Sequence, residues 1–464
     1  MPNIADMAAG FAGLAWGPWL LVLLLGGGAW FFVSSRLLPF RYLPHAVQLL
    51  TGRFDQARAP GQLSHFRALA SALAGTVGMG NIAGVAVALT AGGPGAIFWM
   101  WMTALLGVAT KFFTCTLAVH FRGPDSAGEI QGGPMYVIRE GMPARARPLA
   151  GFFCAVALVG CLPLFQTNQL VQIVRDVWVE GELGVTLGDN RLGFDLGLGV
   201  LLAAVTGIVI YGGIQRIAST AARIVPIMTV FYVSASLAVI MLNMAEVPAA
   251  LGQIVALAFE PAAAAGGLIG VILIGVQRGA FSNEAGIGTE ALAHGAAKTS
   301  HAVREGLVAM TGPIIDTLLV CTCTALVIML SGVLGAGAQN GADGVTLTAS
   351  AFGGVLGHTG TLVLFICVVA FSLTTILTYS YYGTKCFAYL FGVSRAPIYA
   401  GIYVASLPVA AVLSLDTAIN VIDGCFALMA IPTMISALWL SPVVLREARI
   451  YFTALRESSG GSAG

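Results

Sequence analysis

Two stretches of this chain place polar side chains and several glycines within long apolar segments. They cover residues 74–84 and 277–288, and both contain the pattern Asn-x-Ala-Gly, at positions 81–84 and 283–286. A helix that is interrupted in an apolar environment leaves backbone N–H and C=O groups without partners, and these groups must line a cavity or bind something. The pattern therefore predicts two interrupted helices with exposed backbone groups that can bind a polar ligand.

The first stretch offers groups for both a cation and an anion. Its candidate oxygen donors are the side chains of Thr76 and Asn81 and the carbonyl groups of Ala74 and Val77. Unwound backbone of this kind coordinates Na⁺ in membrane proteins. A half-helix that begins near Asn81 would turn free N–H groups and the positive end of its dipole toward the gap, which suits a carboxylate. Gly78 and Gly80 have no side chains, so they leave room for a small ligand against the backbone.

Other polar side chains lie in apolar segments further along the chain. Gln166 and Gln169 are three residues apart and share a helix face. Thr374 and Thr375 supply adjacent hydroxyl groups, although membrane Ser and Thr also bond back to their own helix. The ionisable residues at similar depth are Lys111, Arg278, Glu284, Glu290, Asp316 and Asp423. Such residues are candidates for function; the alternative is structural pairing, in which Arg278 joins Glu284, Asp316 or Asp423.

The composition defines the environment of these residues. Of the 464 residues, 58% are hydrophobic and 9% are charged, whereas a soluble globular chain has roughly 25% charged residues. The net charge of +1 provides no basic surface for nucleic acid. The six histidines fall near span ends or in loops, where we expect them to be solvated, and neither a catalytic constellation nor the pore loops of a channel are visible. We therefore expect an all-α polytopic membrane protein that is not an enzyme.

Hydropathy predicts eleven transmembrane helices in this chain. The candidate spans are 16–36, 66–91, 94–121, 149–173, 194–213, 219–243, 265–296, 305–332, 359–391, 397–415 and 418–441. With the N-terminus outside, 18 of the 22 Lys and Arg residues are cytoplasmic, 2 are outside and 2 lie within spans. Because basic residues favour the cytoplasmic side, we expect a multi-pass protein of the cell membrane with its N-terminus outside and its C-terminus inside.

The two interrupted spans each open a set of five spans. By the charge-based topology, the first enters the membrane from the cytoplasm and the second from outside. Two five-helix halves of opposite orientation are typical of inverted-repeat secondary transporters; the alternative is a pair of glycine-rich helices that pack tightly on their neighbours. The expected units are an extra N-terminal helix with its loop (1–60), two repeats (61–243 and 244–445) and a cytoplasmic tail (446–464).

Several motifs, in order along the chain, resemble those of the alanine-or-glycine:cation symporters. The matching segments are Gly78–Ala88, Gly92–Trp101, Gly132–Tyr136, Phe281–Gly286, Tyr381–Gly383 and Met429–Pro432. The resemblance implies the fold of the neurotransmitter-sodium symporters, preceded by one extra helix, with a broken first helix in each half. It also implies import of small neutral amino acids, such as alanine and glycine, coupled to sodium. The alternative is coupling to protons, or another small solute, on the same fold.

The resemblance further implies which residues form the site. The amides of Met79 and Gly80 would meet the substrate carboxylate, next to Gly78. Sodium would bind the carbonyl groups of Ala74 and Val77 and the hydroxyl groups of Thr374 and Thr375, with a second cation near Thr76 and Asn81. The substrate pocket would be lined by Phe165, Gln166, Asn168 and Phe281, and carbonyl groups of the second broken helix would take the ammonium.

One position departs from the family pattern. Where the family has Gly-Trp before Ser380, this chain has Thr378 and Tyr379. Tyrosine is smaller than tryptophan and carries a hydroxyl group, so we expect Tyr379 to change the size or polarity of the substrate pocket. The expected partners are the amino acid, the coupling sodium ion and the lipid bilayer, with no cofactor.

Overall fold

The computed structural model describes residues 4–54, 59–211, 213–260, 267–334 and 343–460. Within these ranges nine helices are long and apolar enough to cross a membrane. They are His65–Gly92, Gly95–His120, Ala144–Glu182, Gly188–Ile210, Arg216–Leu242, Ala302–Leu330, His358–Phe391, Val393–Val412 and Leu415–Trp439. The N-terminal pair Ile4–Ala15 and Pro18–Ser34, bent by 48°, makes up to ten. Arg58, which contributes to the charge bias, lies outside the described residues.

The remaining predicted span, 265–296, is divided into two short helices. Leu268–Asn283 and Thr289–His294 are separated by a break in which Glu284 (φ 55°) and Gly288 (φ 102°) have left-handed backbone conformations. A Cβ atom at Gly288 would lie 2.5 Å from the Thr433 hydroxyl oxygen. Glycine is therefore required at this position for both its conformation and its packing.

The two broken helices pack against each other at the centre of the protein. Met79–Gly92 packs against Leu268–Asn283, and His65–Thr76 packs against Thr289–His294. Because the first half of each helix meets the second half of the other, the two run in opposite directions. Their central position is clear from burial: 94% of the most apolar window of His65–Gly92 is buried, against 28% for Gly188–Ile210.

The span 149–173 predicted from hydropathy is longer and less regular than expected. It consists of Arg147–Gly160 and Leu164–Gln172, and continues as a π-helix to Glu182. Pro163 lies immediately before the second segment, and proline cannot donate the backbone hydrogen bond that would continue the first. The kink brings the following residues toward the two breaks.

Several shorter elements lie outside the spans. They are the helices Leu38–Arg41, Leu43–Leu50, Pro134–Gly141, Val247–Ala256 and Gly344–Leu356, and the paired strands Gly123–Pro124 and Ile130–Gln131. The segment expected as a cytoplasmic tail is helical from Ser441 to Gly460. Its Phe452 ring stacks on Tyr42, with ring centroids 3.7 Å apart, because both residues present apolar surface at the same end of the molecule.

Candidate functional site

The first break is shorter than the sequence indicated. The interrupted stretch predicted at residues 74–84 is helical except at Val77 and Gly78, because helix His65–Thr76 ends just before Val77 and the next helix begins at Met79. The Gly78 N–H group donates to the Asn81 side-chain oxygen at 2.8 Å, which closes the break on one side. Met79 and Gly80 occupy the first turn of the second half, where amides have no intrahelical acceptor.

Oxygen atoms from two helices converge beside this break. The Thr375 hydroxyl group lies 2.9 Å from the Ala74 carbonyl oxygen and 2.9 Å from the Phe371 carbonyl oxygen. A Cβ atom at Gly78 would lie 2.5 Å from the same hydroxyl oxygen. Val77 leaves the helical conformation (ψ 88°), which turns its carbonyl group away from the helix axis. This is a cluster of uncharged oxygen ligands suited to a monovalent cation.

The adjacent Thr374 is oriented differently. Its hydroxyl group bonds to the carbonyl oxygens of Ala370 (2.9 Å) and Phe371 (3.0 Å) in its own helix, and it lies 3.9 Å from the Met228 sulfur. The structure thus places Thr375 at the break and turns Thr374 toward a neighbouring helix. The Phe371 carbonyl group was not identified from the sequence, because a backbone atom inside an apolar run gives no signal in residue type.

A second polar region lies on the other side of the first broken helix. The hydroxyl oxygen of Thr76 and one carboxylate oxygen of Asp316 are buried, and neither makes a well-formed hydrogen bond within the described part of the chain. Asn81 turns its amide nitrogen toward this region, donating to the Ser282 hydroxyl at 3.1 Å and to the Asp316 carbonyl at 2.9 Å. Its side-chain oxygen accepts from the Gly78 N–H group, so one of the two lone pairs of that oxygen is already engaged.

Aromatic rings enclose the space next to Gly80. A Cβ atom at Gly80 would lie only 3.1 Å from Cδ1 of Phe281. The Phe281 ring is 5.2 Å from that of Phe165 and 5.5 Å from that of Phe426. Phe426 was not predicted, since one phenylalanine in an apolar helix cannot be told from ordinary core. Rings this close to the backbone restrict the space beside the break to a small group.

The kinked third helix supplies one free polar atom to this region. The side-chain oxygen of Gln166 is buried without a hydrogen-bond partner within the described residues, and Gln166 follows Phe165 directly. Asn168 is engaged elsewhere: it donates to the Leu413 carbonyl at 2.6 Å and accepts from Gln169 at 2.9 Å. Of the predicted amides, Gln166 is therefore the one available to a ligand.

Tyr379 joins the two breaks. Its hydroxyl group donates to the Glu284 carboxylate, whose other oxygen accepts from Thr289 at 2.5 Å. A Cβ atom at Gly75 would lie 3.4 Å from the Tyr379 ring. The hydroxyl that distinguishes this residue from tryptophan thus has a buried carboxylate as its partner, in the second broken helix.

A buried ion pair closes one end of the region. Arg278 pairs with Asp423, and Gln277 donates to the same carboxylate at 2.8 Å. Among the alternatives that the sequence left open for Arg278, the structure selects Asp423. Leu268–Asn283, which carries Arg278, forms the half of its span that the charge bias places toward the outside.

The opposite end is closed by a carboxylate between two histidines. Glu305 accepts from His65 at 2.5 Å and from His294 at 2.6 Å, and all three side chains are buried. The expectation of solvated histidines is wrong for this pair. The ends of the two broken helices pack on each other, so a residue near the end of a span is not necessarily near water.

Two basic side chains reinforce the closure at this end. We use the name Glu305 clamp for Glu305, His65 and His294. Lys385 donates to the Leu292 carbonyl at 3.1 Å, and Arg122 donates to the Gly295 carbonyl at 2.9 Å. Both therefore cap the C-terminal end of helix Thr289–His294, where cations are favourable. Burial lowers the pKa of Arg122 to about 10, so it remains charged at neutral pH.

Comparison with known proteins identifies the class. The fold matches that of MhsT, solved in complex with L-phenylalanine, with a TM-score of 0.57 and 14% identity, covering 84% of this chain and 99% of that one. A model of the sodium:alanine symporter family matches residues 1–462. The sodium/alanine symporter AgcS of Methanococcus maripaludis is 40% identical, with 97% of each chain covered. The probable sodium/glutamine symporter GlnT of Bacillus subtilis is 34% identical, covering 98% of this chain and 91% of the relative.

The protein is thus a helical, multi-pass membrane transporter of the fold seen in MhsT. It belongs to the sodium:alanine symporter family, as the motifs had indicated.

Proposed function

We propose that this protein imports small neutral amino acids, alanine and glycine above all, together with sodium. The observation that carries this proposal is the convergence at the first break: the Thr375 hydroxyl and the Ala74 carbonyl oxygen meet beside Gly78, and the Phe281 ring lies against Gly80, two residues further on. A cation and a zwitterion can therefore share one short piece of unwound backbone.

The coupling ion binds between the first broken helix and helix His358–Phe391. Its ligands are the carbonyl oxygens of Ala74, Val77 and Phe371 and the hydroxyl oxygen of Thr375. When sodium binds, the Thr375 hydroxyl group keeps its proton but turns its O–H away from the Ala74 carbonyl group, so that all four oxygens direct lone pairs toward the ion. Thr374 is a weaker candidate than expected because its hydroxyl group is satisfied within its own helix.

The amino acid binds with its carboxylate on the amides of Met79 and Gly80, at the positive end of helix Met79–Gly92. Its ammonium group meets the free oxygen of Gln166 and carbonyl groups of the second break. Its side chain points at the ring of Phe281, which leaves space for a hydrogen atom or a methyl group. Tyr379 acts through Glu284 and sets the distance between the two breaks.

Sodium and substrate are coupled through the conformation of the first break. Each ligand binds best when Val77 and Gly78 are unwound, so binding of either raises the population that the other needs. The broken helices then move as one body against the surrounding helices, and the Glu305 clamp and the Arg278–Asp423 pair open in alternation. In this arrangement residues 61–243 and 244–445 act as the two repeats.

Two points of the proposal have alternatives with specific support. The first alternative is a larger substrate, because the relative GlnT is a probable sodium/glutamine symporter. The close approach of Phe281 to Gly80 favours a small substrate here. The buried oxygens of Thr76 and Asp316, which lack a well-formed hydrogen bond in the described part of the chain, support a second cation position, which would take another sodium ion or a proton.

Ligand-dependent unfolding of the purified protein tests the proposal. Sodium should raise the unfolding temperature, and alanine should raise it further only when sodium is present, because a ligand stabilises the state that it binds. Potassium replaces sodium in the control, and glutamine replaces alanine. Stabilisation by alanine in potassium without sodium would contradict the sodium linkage. Stabilisation by glutamine but not by alanine would contradict the preference for a small side chain.

A further inference from the structure

A cavity of about 660 Å³ lies between the end of the first membrane span and the C-terminal helix. Four arginines line it: Arg36, Arg41, Arg449 and Arg456. Among the described residues that line the cavity there is no aspartate or glutamate, and none of the four forms an ion pair within the described part of the chain. Four guanidinium groups around one space form a binding site for an anion, and arginine matches phosphate geometry especially well.

The cavity lies at the level where two spans end. Helix Pro18–Ser34 stops immediately before the cavity residue Ser35, and Leu415–Trp439 stops just before Ser441–Gly460, the helix that carries Arg449. The cavity therefore opens at the height of the lipid headgroups. By the charge bias this is the cytoplasmic surface, where anionic lipids and basic residues attract each other.

The backbone is held in an unfavourable conformation to form this turn. Arg36 and Leu37 are consecutive non-glycine residues with left-handed φ values of 53° and 60°. Such conformations persist where the surrounding structure enforces them, often at binding sites. Here the turn ends the helix of the span, and Arg36 lies in the lining of the cavity.

Exposed apolar side chains flank the arginines. Val33 is 70% exposed on the first span and Leu37 is 41% exposed beside Arg36. A free phosphate ion would make no use of these residues, whereas the acyl chains of a phospholipid would pack on them while its headgroup occupies the cavity. The combination favours a lipid over a small soluble anion.

We propose that this cavity binds the phosphate headgroup of an anionic phospholipid. The lipid would connect the end of the first span to the C-terminal helix, which already meets the segment after that span through the stacking of Tyr42 on Phe452 and through the bond from Arg456 to the Tyr42 hydroxyl at 3.1 Å. This site is separate from the transport site and does not depend on which amino acid is carried.

Native mass spectrometry of the purified protein tests the assignment, with phosphatidylglycerol and phosphatidylcholine as probes. The wild-type protein should retain phosphatidylglycerol in preference to phosphatidylcholine. Arg36→Gln combined with Arg449→Gln should weaken retention of phosphatidylglycerol about tenfold, since each arginine contributes to the attraction. Arg145→Gln combined with Arg395→Gln is the matched control, because both residues are exposed, lie on the same expected side and are outside the cavity.

A second variant and three further outcomes decide whether the cavity binds a lipid. If the double variant does not fold, Arg41→Gln alone should weaken retention about threefold. Equal retention in the cavity variants and the control variant would overturn the proposal, as would the absence of a preference for phosphatidylglycerol. Displacement of the lipid by inorganic phosphate, beyond the effect of chloride at the same ionic strength, would show a site for a soluble anion and would also overturn it.

Discussion

Thr374 and Thr375 are neighbours in the sequence, yet their hydroxyl groups face different surroundings. Thr375 contacts the Ala74 carbonyl at the first break, and Thr374 bonds within its own helix. We therefore expect Thr375→Ala to raise the sodium concentration for half-maximal uptake by about tenfold or more, since it removes a direct oxygen ligand. Thr374→Ala, the matched control, should change it about threefold or less. The sodium dependence of uptake in proteoliposomes measures both, and equal effects would remove Thr375 from the ion site.

Gly80 gives a prediction about substrate size. A Cβ atom there would meet the Phe281 ring at 3.1 Å, whereas one at Gly84, one turn further along the same helix, would have 3.9 Å to its nearest neighbour. Gly80→Ala should therefore reduce alanine uptake about tenfold, because the new methyl group would occupy the space of the methyl group of alanine. Glycine uptake should fall less, because glycine has no methyl group. Gly84→Ala should leave both unchanged. Competition between labelled alanine and glycine measures the difference; equal losses for the two substrates would indicate a packing role for Gly80.

At the residue scale, the sequence predicted the types of groups better than their directions. Gly78 lies in the first break, Gly80 lies in the first turn of the helix after it, and the Phe281 ring packs against Gly80. The opposite orientations of the two threonines were not predictable. Adjacent residues on a helix point in different directions, and the packing of the neighbouring helices decides which of the two faces the break. Asn168 illustrates the same point, since its amide is engaged by Leu413 instead of the pocket.

The Glu305 clamp determines how the broken helices meet at the expected cytoplasmic side. Backbone bonds there join Gln62 to Ala296 and Lys298 to Leu63. Glu305→Gln removes the charge that holds the two histidines, and breaking a buried charged contact is costly. Hydrogen exchange at the amides of Leu63 and Lys298 should accelerate about tenfold or more.

A matched control separates this effect from general charge loss. Glu140→Gln removes an exposed carboxylate that pairs with Arg139 on the same side, and it should leave those exchange rates unchanged. Unchanged exchange in the Glu305→Gln variant would show that the clamp does not hold the closure.

At the scale of elements, hydropathy located the long helices but not the departures from regularity. Both broken helices were predictable because glycine and asparagine interrupt apolar runs. Pro163 marks the kink in the sequence, but hydropathy does not register the effect of a proline on the backbone. Helix Gly344–Leu356 is too short to register as a span. The Glu305 clamp joins Glu305 and His294 to His65, which lies 240 residues before Glu305, so no local pattern could reveal it.

At the scale of the whole molecule, the distribution of basic residues favours one orientation of the protein in the membrane. This orientation can be tested directly. Val185 is 49% exposed in the loop expected outside, and Ala144 is exposed in the loop expected inside. The eight native cysteines are buried, so background labelling should be low. A membrane-impermeant maleimide should label Val185→Cys in intact cells and Ala144→Cys only after permeabilisation, as the excess of basic residues inside requires. The reverse pattern would invert the topology.

The central claim is that sodium drives the uptake of small amino acids, and transport in proteoliposomes tests it most directly. The purified protein is reconstituted, and uptake of labelled alanine and glycine is followed under an inward sodium gradient, under an inward proton gradient with potassium on both sides, and with no gradient. We expect both amino acids to accumulate above equilibrium only with the sodium gradient, and excess glutamine not to compete. Accumulation driven by protons alone, or no accumulation of either amino acid, would contradict the account.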